Sequence, residues 1–221
     1  YAFYVNSDGN IAVFYSMRAD KRQGWSLWET QGSFHSIASV GDRLFTIAVR
    51  DNGSGTSKFY LEEFQASQPM DYCKSYSGSS GVFSVSANFA NGAKVKVVSG
   101  TDYLGEFTVA SGNVDVSAVD ATVSTAFIGY AFTPEMQTLP IDGALSNGPL
   151  TGKQRRIASV ILDLEETLSV SVDGTDLIIR QVNDDFSTAR TAISGKREFF
   201  VLGFDRDPTV TVSQSAPMAL Q

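Results

Sequence analysis

The stretch RLFTIAVRDNGSGTSKFYLEEF, residues 43–64, contains the clearest structural signal in this chain. Two runs rich in β-branched and aromatic residues, 43–50 and 58–64, flank a loop of glycine, serine, asparagine and threonine. Such flanks favour extended strands, and the loop residues favour turns. The stretch therefore predicts two antiparallel strands joined as a hairpin.

The residues in front of the hairpin continue this pattern. NIAVFYSM (10–17) alternates side chains between two strand faces and follows Asp8-Gly9, a pair that favours a hairpin turn. GWSLWET (24–30) and SFHSIAS (33–39) have the same strand character and are separated by a glutamine and a glycine. We predict that residues 1–66 form antiparallel sheet with the strand spacing of a sandwich or a propeller blade.

Both tryptophans of the chain lie in GWSLWET. Strand alternation places Trp25 and Leu27 on one face and Trp28 on the other, so the two indoles can pack on opposite faces of one sheet. An aromatic platform for a sugar or a base would need both rings on one face. We therefore predict that Trp25, Leu27 and Trp28 are structural core residues and that both indoles are mostly buried.

The remaining sequence divides into three further segments. Residues 67–80 are rich in serine and glycine and predict a linker. Residues 81–132 contain about five short strand patterns separated by turn residues, which predicts a small β-barrel or compact sandwich. Residues 133–221 begin with an extended loop and return to antiparallel strand patterns. No repeat relates the three strand-rich stretches, so a complete propeller is not predicted.

In one segment of the last stretch, the periodicity of the apolar residues fits both a helix and a strand. In RRIASVILDLEETL (155–168), the apolar residues match a helical stripe and also one face of a strand. The β-branched residues and the strand patterns that follow favour a long strand. The sequence as a whole predicts an all-β fold, in which a propeller-blade-like sheet carries an inserted small β-barrel or sandwich domain.

The composition limits the kinds of function. The chain has 221 residues and a formal charge of -7, which disfavours a surface built to hold nucleic-acid phosphates or anionic lipids. With one cysteine and one histidine, it can form neither an intrachain disulfide nor an ordinary zinc site by itself. No apolar run has the length of a membrane span, so stable membrane insertion is not expected. The chain begins and ends in strand patterns, which predicts a segment of a longer protein.

The sequence offers no catalytic pair. His35 has no neighbouring nucleophile or orienting carboxylate and is interpreted as structural. The pairs Glu62-Glu63 and Glu165-Glu166 are adjacent, so the two carboxylates of each pair would point to opposite sides of a strand. We predict that the protein is not an enzyme, and a glycosidase built from distant carboxylates ranks third among the hypotheses.

The acidic segments of the sequence do not identify a cation-binding site. VNSDGN (5–10) and SVDGTD (171–176) resemble parts of calcium loops but lack the full ligand spacing, and hairpin turns explain them better. NDDF (183–186) and DRDP (205–208) are more often solvated loops than cation sites. We predict no metal and no cofactor.

Lys153, Arg155 and Arg156 form one basic cluster. It is interpreted either as the solvated start of a strand or as an electrostatic contact with a partner subunit.

The order of several motifs resembles the tail tubular protein B family, the nozzle proteins of short-tailed bacteriophages. The motifs carrying this resemblance span nearly the whole chain and are SDGNIAVFYS, GWSLWETQGSFHSIAS, RLFTIAVR with KFYLEEF, NGAKVKVVSG, IGYAFTPEMQTLP, GKQRRIASVILDL and TVTVSQSAPMAL. The resemblance implies a structural protein of the virion tail. It implies a homo-oligomeric ring, commonly a hexamer, that contacts a portal adaptor protein and tail fibres. Double-stranded DNA would leave through this ring without specific binding.

The competing hypothesis is a carbohydrate-binding or adhesin-like β module, in which exposed aromatic rings stack on sugars. The two hypotheses differ in assembly. For the nozzle hypothesis we expect neighbouring sheets or subunits to cover the apolar strand faces, and we expect residues 80–132 to project as a separate domain that can be deleted without loss of folding.

Overall fold

The structure is a computed structural model that describes residues 1–17, 19, 21–52, 55–65, 70–140, 144–145, 148–149, 152–179, 191–214 and 216–218. These residues form antiparallel β-sheets and turns with no helix, which confirms the predicted all-β class. Consequently, no helix among them could cross a membrane. Contacts divide the chain into two compact units, Tyr1–Ser99 with Leu104–Phe132, and Gly100–Tyr103 with Thr133–Gln221.

The first six strands form two three-stranded antiparallel sheets. They are β1 (Ala2–Val5), β2 (Ile11–Met17), β3 (Arg22–Trp28), β4 (Ser33–Val40), β5 (Arg43–Arg50) and β6 (Lys58–Phe64). β2 is central in the first sheet and β5 in the second. β5 and β6 pair along their whole length, which confirms the predicted hairpin. Ile11, Val13, Phe34 and Ala48 are buried in one core that both sheets share.

The turn at Gln31-Gly32 separates these two sheets. Gly32 has a φ of 125°, and a Cβ atom there would lie 2.3 Å from the carbonyl oxygen of Val49. Only glycine adopts this backbone conformation and leaves this space open. The predicted run of antiparallel strands is therefore divided between two sheets at this position.

The next six strands form a four-stranded and a two-stranded sheet. They are β7 (Asp71–Ser77), β8 (Val82–Ser84), β9 (Lys94–Ser99), β10 (Asp102–Thr108), β11 (Asn113–Asp115) and β12 (Thr125–Tyr130). The larger sheet has the order β10-β9-β12-β7, and β11 pairs with β8. Their buried side chains, which include Phe83, Phe89 and Val97, form a second core.

β7 corrects the predicted domain boundaries. The predicted linker, residues 67–80, contains this strand, and the linker prediction is wrong for Asp71–Ser77 because these residues pair with β12. Tyr72 of β7 is buried in the same core as Phe83. The small β domain predicted for residues 81–132 therefore lacks its first strand, because the serine-rich composition of β7 hid its strand character.

Residues 71–99 and 102–130 are two copies of one strand pattern. Each strand of the second copy begins 31 residues after its counterpart, at the pairs Asp71 and Asp102, Val82 and Asn113, and Lys94 and Thr125. Identical residues at equivalent positions are Asp71 and Asp102, Tyr72 and Tyr103, Ser80-Gly81 and Ser111-Gly112, Val85-Ser86-Ala87 and Val116-Ser117-Ala118, and Ala90 and Ala121. The repeat covers part of the predicted linker and one of the three stretches, so a comparison between the stretches misses it.

The two copies also share the backbone geometry of one turn and bond each other reciprocally. The turn residues Ser80 and Gly81 have φ values of 53° and 75°, and their counterparts Ser111 and Gly112 have 51° and 76°. The amide of Val85 donates to the Gly112 carbonyl at 2.9 Å, and the amide of its counterpart Val116 donates to the Gly81 carbonyl at 2.8 Å. This exchange of equivalent hydrogen bonds relates the copies by a pseudo-twofold axis.

The last eight strands belong to the second unit. They are β13 (Glu135–Gln137), β14 (Ala144–Leu145), β15 (Gly148–Pro149), β16 (Ser159–Thr167), β17 (Ser171–Val172), β18 (Thr175–Asp176), β19 (Ile193–Phe200) and β20 (Thr211–Ser213). β16 confirms the long strand predicted in RRIASVILDLEETL and pairs with β19. Leu164, Val170, Val172, Phe199 and Val210 are buried in the core of this unit.

Candidate functional site

A buried arginine is the centre of the main polar cluster in the first unit. Arg50, at the end of β5, is 3% exposed. Its Nε and Nη2 atoms donate to the two carboxylate oxygens of Glu62 on β6, both at 2.7 Å. Its Nη1 and Nη2 atoms donate to Asp71 at 3.1 and 2.7 Å, and Nη1 also donates to the Gln31 carbonyl at 2.6 Å. The cluster therefore ties together β5, β6, β7 and the turn between the first two sheets.

Asp71 and Tyr72 complete the surroundings of Arg50. The Asp71 carboxylate accepts from the Thr30 hydroxyl at 2.9 Å and from the Gln31 amide at 2.7 Å. The guanidinium carbon of Arg50 lies 4.7 Å from the centre of the Tyr72 ring, within cation–π distance. Burial alone would lower the pKa of Arg50, but the hydrogen bonds that it donates to Glu62 and Asp71, together with their negative charges, outweigh burial and raise the pKa.

The carboxylates near this cluster form structural ion pairs with arginines. Glu62 and Asp71 accept charge-assisted hydrogen bonds from the same guanidinium, so both carboxylates belong to one ion-pair network that joins β5, β6 and β7. Glu63 lies on the other side of β6 and pairs with Arg43, as the predicted alternation of Glu62-Glu63 requires. A cavity of about 730 Å³ adjoins the cluster and is lined by aromatic residues that include Trp28, Tyr60 and Tyr72.

This cluster was not predicted from the sequence, because its members are far apart in the chain. Arg50 and Asp71 are separated by a loop and a strand, and both occur in segments that look ordinary in isolation. One signal was available in the sequence. The Asp-Tyr pair at 71–72 recurs at 102–103 at the start of the second copy of the repeat.

The tryptophan prediction is wrong for Trp25 and its neighbour Leu27. Trp25 is 64% exposed and Leu27 is 54% exposed, so neither belongs to the core. Trp28 is half-buried and packs on Phe3 and Phe64, with ring centres 5.7 and 5.1 Å apart. Alternation placed the two indoles on different faces correctly, but a second sheet covers only the face that carries Trp28.

The uncovered face of the first sheet is rich in aromatic residues. We call it the first outer face, and its members are Tyr4, Phe14, Trp25 and Leu27. The Trp25 ring lies 4.8 Å from the Phe14 ring and 5.9 Å from the Tyr4 ring. Tyr4 is 55% exposed. The exposed rings of Tyr4 and Trp25 and the half-buried ring of Phe14 therefore form one contiguous cluster.

The second sheet has an apolar outer face as well. We call this the second outer face, and its apolar members are Phe45, Ile47, Val49, Phe59 and Leu61. Ile47 lies opposite Leu61 and Val49 opposite Phe59, whereas Phe45 lies opposite Glu63. Phe59 and Leu61 are 67% and 76% exposed. His35 is also exposed and meets the Phe59 ring edge-on at 5.4 Å. Both sheets of this pair thus carry exposed apolar side chains on the side that faces away from their shared core.

We expect the two tryptophans to differ sharply in solvent access. In a Trp28→Phe variant Trp25 is the one remaining tryptophan. Under excitation selective for tryptophan, its emission should lie near that of free indole in water and be quenched strongly by acrylamide. In a Trp25→Phe variant the remaining Trp28 should emit at shorter wavelength and be quenched weakly, because it packs against the shared core. Equal quenching of the two variants would contradict the structure.

The basic cluster does not present three side chains to one surface. Lys153 and Arg156 are exposed, and the Arg156 guanidinium lies 5.6 Å from the Phe204 ring centre. The Arg155 side chain is 14% exposed and lies 3.5 Å from Asp207. Of the three predicted contact residues, Lys153 and Arg156 are therefore the two that are accessible to a partner.

The acidic loops form turns where the structure describes them. Asp8 of VNSDGN accepts from the Asn10 amide within the β1–β2 turn, and SVDGTD forms the β17–β18 hairpin, as predicted. In DRDP, Asp205 accepts from the amides of Arg206 and Asp207. NDDF lies outside the described residues. Among the residues that are described, no group of three or more acidic, cysteine or histidine side chains is placed to hold a metal ion.

Cys73 lies next to the Arg50 cluster and is partly buried. Burial raises the pKa of its thiol to about 12, so at neutral pH the thiol is protonated and a poor nucleophile.

Comparison with known proteins adds no family to these observations. The sequence matches no protein-family model and no curated protein.

Proposed function

We propose that this chain is a structural component of a bacteriophage tail. In this proposal it belongs to the nozzle, the distal tube through which double-stranded DNA is ejected and to which tail fibres attach. The resemblance of its motifs to the tail tubular protein B family motivates the proposal. The observation that carries it is the pair of sheets in residues 1–64, each apolar on its outer face as well as in its core.

Exposed sheet faces of this kind need a cover. Large contiguous apolar patches are rare on monomeric proteins and mark contacts, and uncovered sheets are prone to aggregate. Sheets apolar on both sides are the building blocks of propellers and of stacked β-assemblies. We therefore propose that the two sheets are blade-like elements of a larger β-assembly and that the repeated strands from β7 to β12 form its small β domain.

The charge of the chain is compatible with a DNA conduit. A formal charge of -7 disfavours lasting contacts with DNA phosphates, and a conduit must release its cargo. In the proposed ring, the apolar outer faces form contacts between subunits, and Lys153 and Arg156 are further candidates for such contacts. The proposal assigns no catalytic role to any residue.

We expect a charge on the second outer face to prevent assembly without unfolding the chain. Leu61→Lys places an ammonium group at a position that is 76% exposed in the isolated chain, so folding should be little affected. In the assembly the same charge would be buried without a partner, which costs several kcal/mol per contact. Light scattering of the protein from the full reading frame should show rings for the parent and smaller species for the variant.

A control introduces the same ammonium group elsewhere on the same sheet, with a change of two charge units in place of one. Asp42→Lys lies in the exposed turn between β4 and β5, and it should leave assembly intact. Rings of normal mass formed by Leu61→Lys would show that the second outer face is not a contact and would remove the main support for the proposal.

One observation favours a second candidate, a carbohydrate-binding or adhesin-like module. Tyr4, Phe14 and Trp25 lie together on the first outer face, and exposed aromatic rings stack on sugars and bases alike. A glycan array distinguishes the two functions. Reproducible binding that is lost in Trp25→Ala and retained in Leu61→Ala would favour the carbohydrate module over the nozzle.

A further inference from the structure

The cavity beside the Arg50 cluster has both aromatic and charged side chains in its lining. Its volume is about 730 Å³, which is within the range of small-ligand sites in proteins. The described residues that line it all belong to the first unit. A single ligand in this cavity can therefore contact apolar surfaces and ionised groups at the same time.

The rings of the lining are held by contacts with one another. Trp28 packs on Phe64 with ring centres 5.1 Å apart, and Tyr60 meets Tyr72 edge-on at 5.3 Å. Phe132 also lines the cavity and is 42% exposed. Rings that are already packed offer an apolar face to a ligand at little cost in side-chain ordering.

Most carboxylates of the lining are already paired with arginines. Glu62 and Asp71 share Arg50, and Glu63 pairs with Arg43. A carboxylate oxygen has two lone pairs, so these groups can still accept a hydrogen bond from a ligand.

The two remaining charged residues of the lining, Glu29 and Lys74, form no ion pair with any described residue. The Lys74 Nζ atom donates to Asn88 Oδ1 at 2.7 Å and lies 5.3 Å from the centre of the Tyr72 ring. Together with the two arginines, Lys74 nearly balances the carboxylates. A strongly anionic ligand and a strongly cationic one would therefore each meet like charge in this cavity.

The bonds around Lys74 are not required by the fold of the repeat. In the first copy, Asn88 accepts from Lys74 and donates to the Tyr76 hydroxyl at 2.7 Å. The counterparts of Lys74, Tyr76 and Asn88 in the second copy are Gly105, Phe107 and Val119. These side chains cannot form such bonds, yet the same strands pair in both copies. The network in the first copy is thus free to serve the cavity by fixing the Lys74 ammonium group.

We propose that this cavity binds a neutral, hydroxyl-rich saccharide. The C–H faces of a sugar ring are apolar and stack on aromatic rings. Sugar hydroxyls both donate and accept, which matches carboxylates that accept and an ammonium group that donates. The site lies within one unit and includes none of the rings of the first outer face, so it depends neither on the proposed assembly nor on Trp25.

A glycan array and a tryptophan titration test this site together. The Trp25→Phe variant retains Trp28, which lines the cavity, as its one tryptophan. The array should show reproducible binding to neutral glycans and little binding to sialylated or sulfated ones. The neutral glycan with the strongest array signal should shift the Trp28 emission until the shift saturates. Absence of neutral binding, binding confined to acidic glycans, or binding without a change in Trp28 emission would each overturn the proposal.

Two substitutions with matched controls locate the bound glycan. Lys74→Gln should weaken its binding about tenfold through the loss of a charged donor, and Phe132→Ala at least about threefold through the loss of a ring. Both residues are exposed, so neither change should unfold the chain. Lys58→Gln and Phe59→Ala alter exposed residues of the same types outside the lining and should leave the affinity unchanged.

The outcomes of this series are distinct. Equal affinity in all four variants would contradict the site. Loss of binding in Trp25→Ala would assign the glycan to the first outer face and would likewise overturn the proposal for the cavity.

Discussion

Replacing Arg50 by methionine is expected to destabilise the first unit by roughly 3–5 kcal/mol. Methionine fills much of the same space, but it leaves the carboxylates of Glu62 and Asp71 without their shared cation. Those side chains are 19% and 14% exposed, so water can replace the lost bonds only in part. Urea unfolding followed by tryptophan fluorescence measures the change, because both indoles lie in this unit.

The second ion pair on the same hairpin provides the control. Arg43 donates hydrogen bonds to both carboxylate oxygens of Glu63, as Arg50 does to Glu62. The Arg43 side chain, however, is 59% exposed. Exposed ion pairs contribute little to stability, so Arg43→Met should be close to neutral. Equal effects of the two substitutions would mean that burial of Arg50 does not determine the strength of its contacts.

Deleting residues 81–132 and joining the ends is expected to prevent the first unit from folding. The sequence alone predicted a removable domain here, but the structure gives a physical reason for the opposite result. The deletion removes β12, the partner of β7, and it removes the core against which Tyr60 and Tyr72 pack. The loss of a complete core exceeds the 5–15 kcal/mol by which a typical domain is stable.

Limited proteolysis and circular dichroism of the truncated protein measure this outcome. An insertion of four glycine and serine residues after Gly100, in the exposed turn between β9 and β10, is the control. It lengthens the chain without removing a strand, so it should fold. A compact, protease-resistant truncated protein would show that β7 and its neighbours are stable without the repeat.

Local sequence patterns predicted the individual strands of this fold better than they predicted which strands and sheets pack against one another. The hairpin of β5 and β6 and the long strand β16 were predictable, because alternation and β-branched residues act within a few positions. The burial of Trp25 was not, because alternation assigns a face to a side chain but does not say whether another sheet covers that face.

The Arg50 cluster shows why the polar centre could not be predicted. Its four protein segments meet only after the first two sheets and β7 have packed, so no local spacing of charges marks it. The repeat of residues 71–99 and 102–130 could have been found, since Asp-Tyr and Val-Ser-Ala recur at a fixed spacing. Most of its other positions have diverged, and the equal backbone angles at Ser80-Gly81 and Ser111-Gly112 are what make it plain.

Electron microscopy of the protein expressed from its full reading frame tests the central claim most directly. The proposal predicts closed rings with a central channel, in which the outer faces around Trp25 and Leu61 are covered by neighbouring β-sheet. A monodisperse monomer in which both outer faces remain exposed to solvent would contradict it.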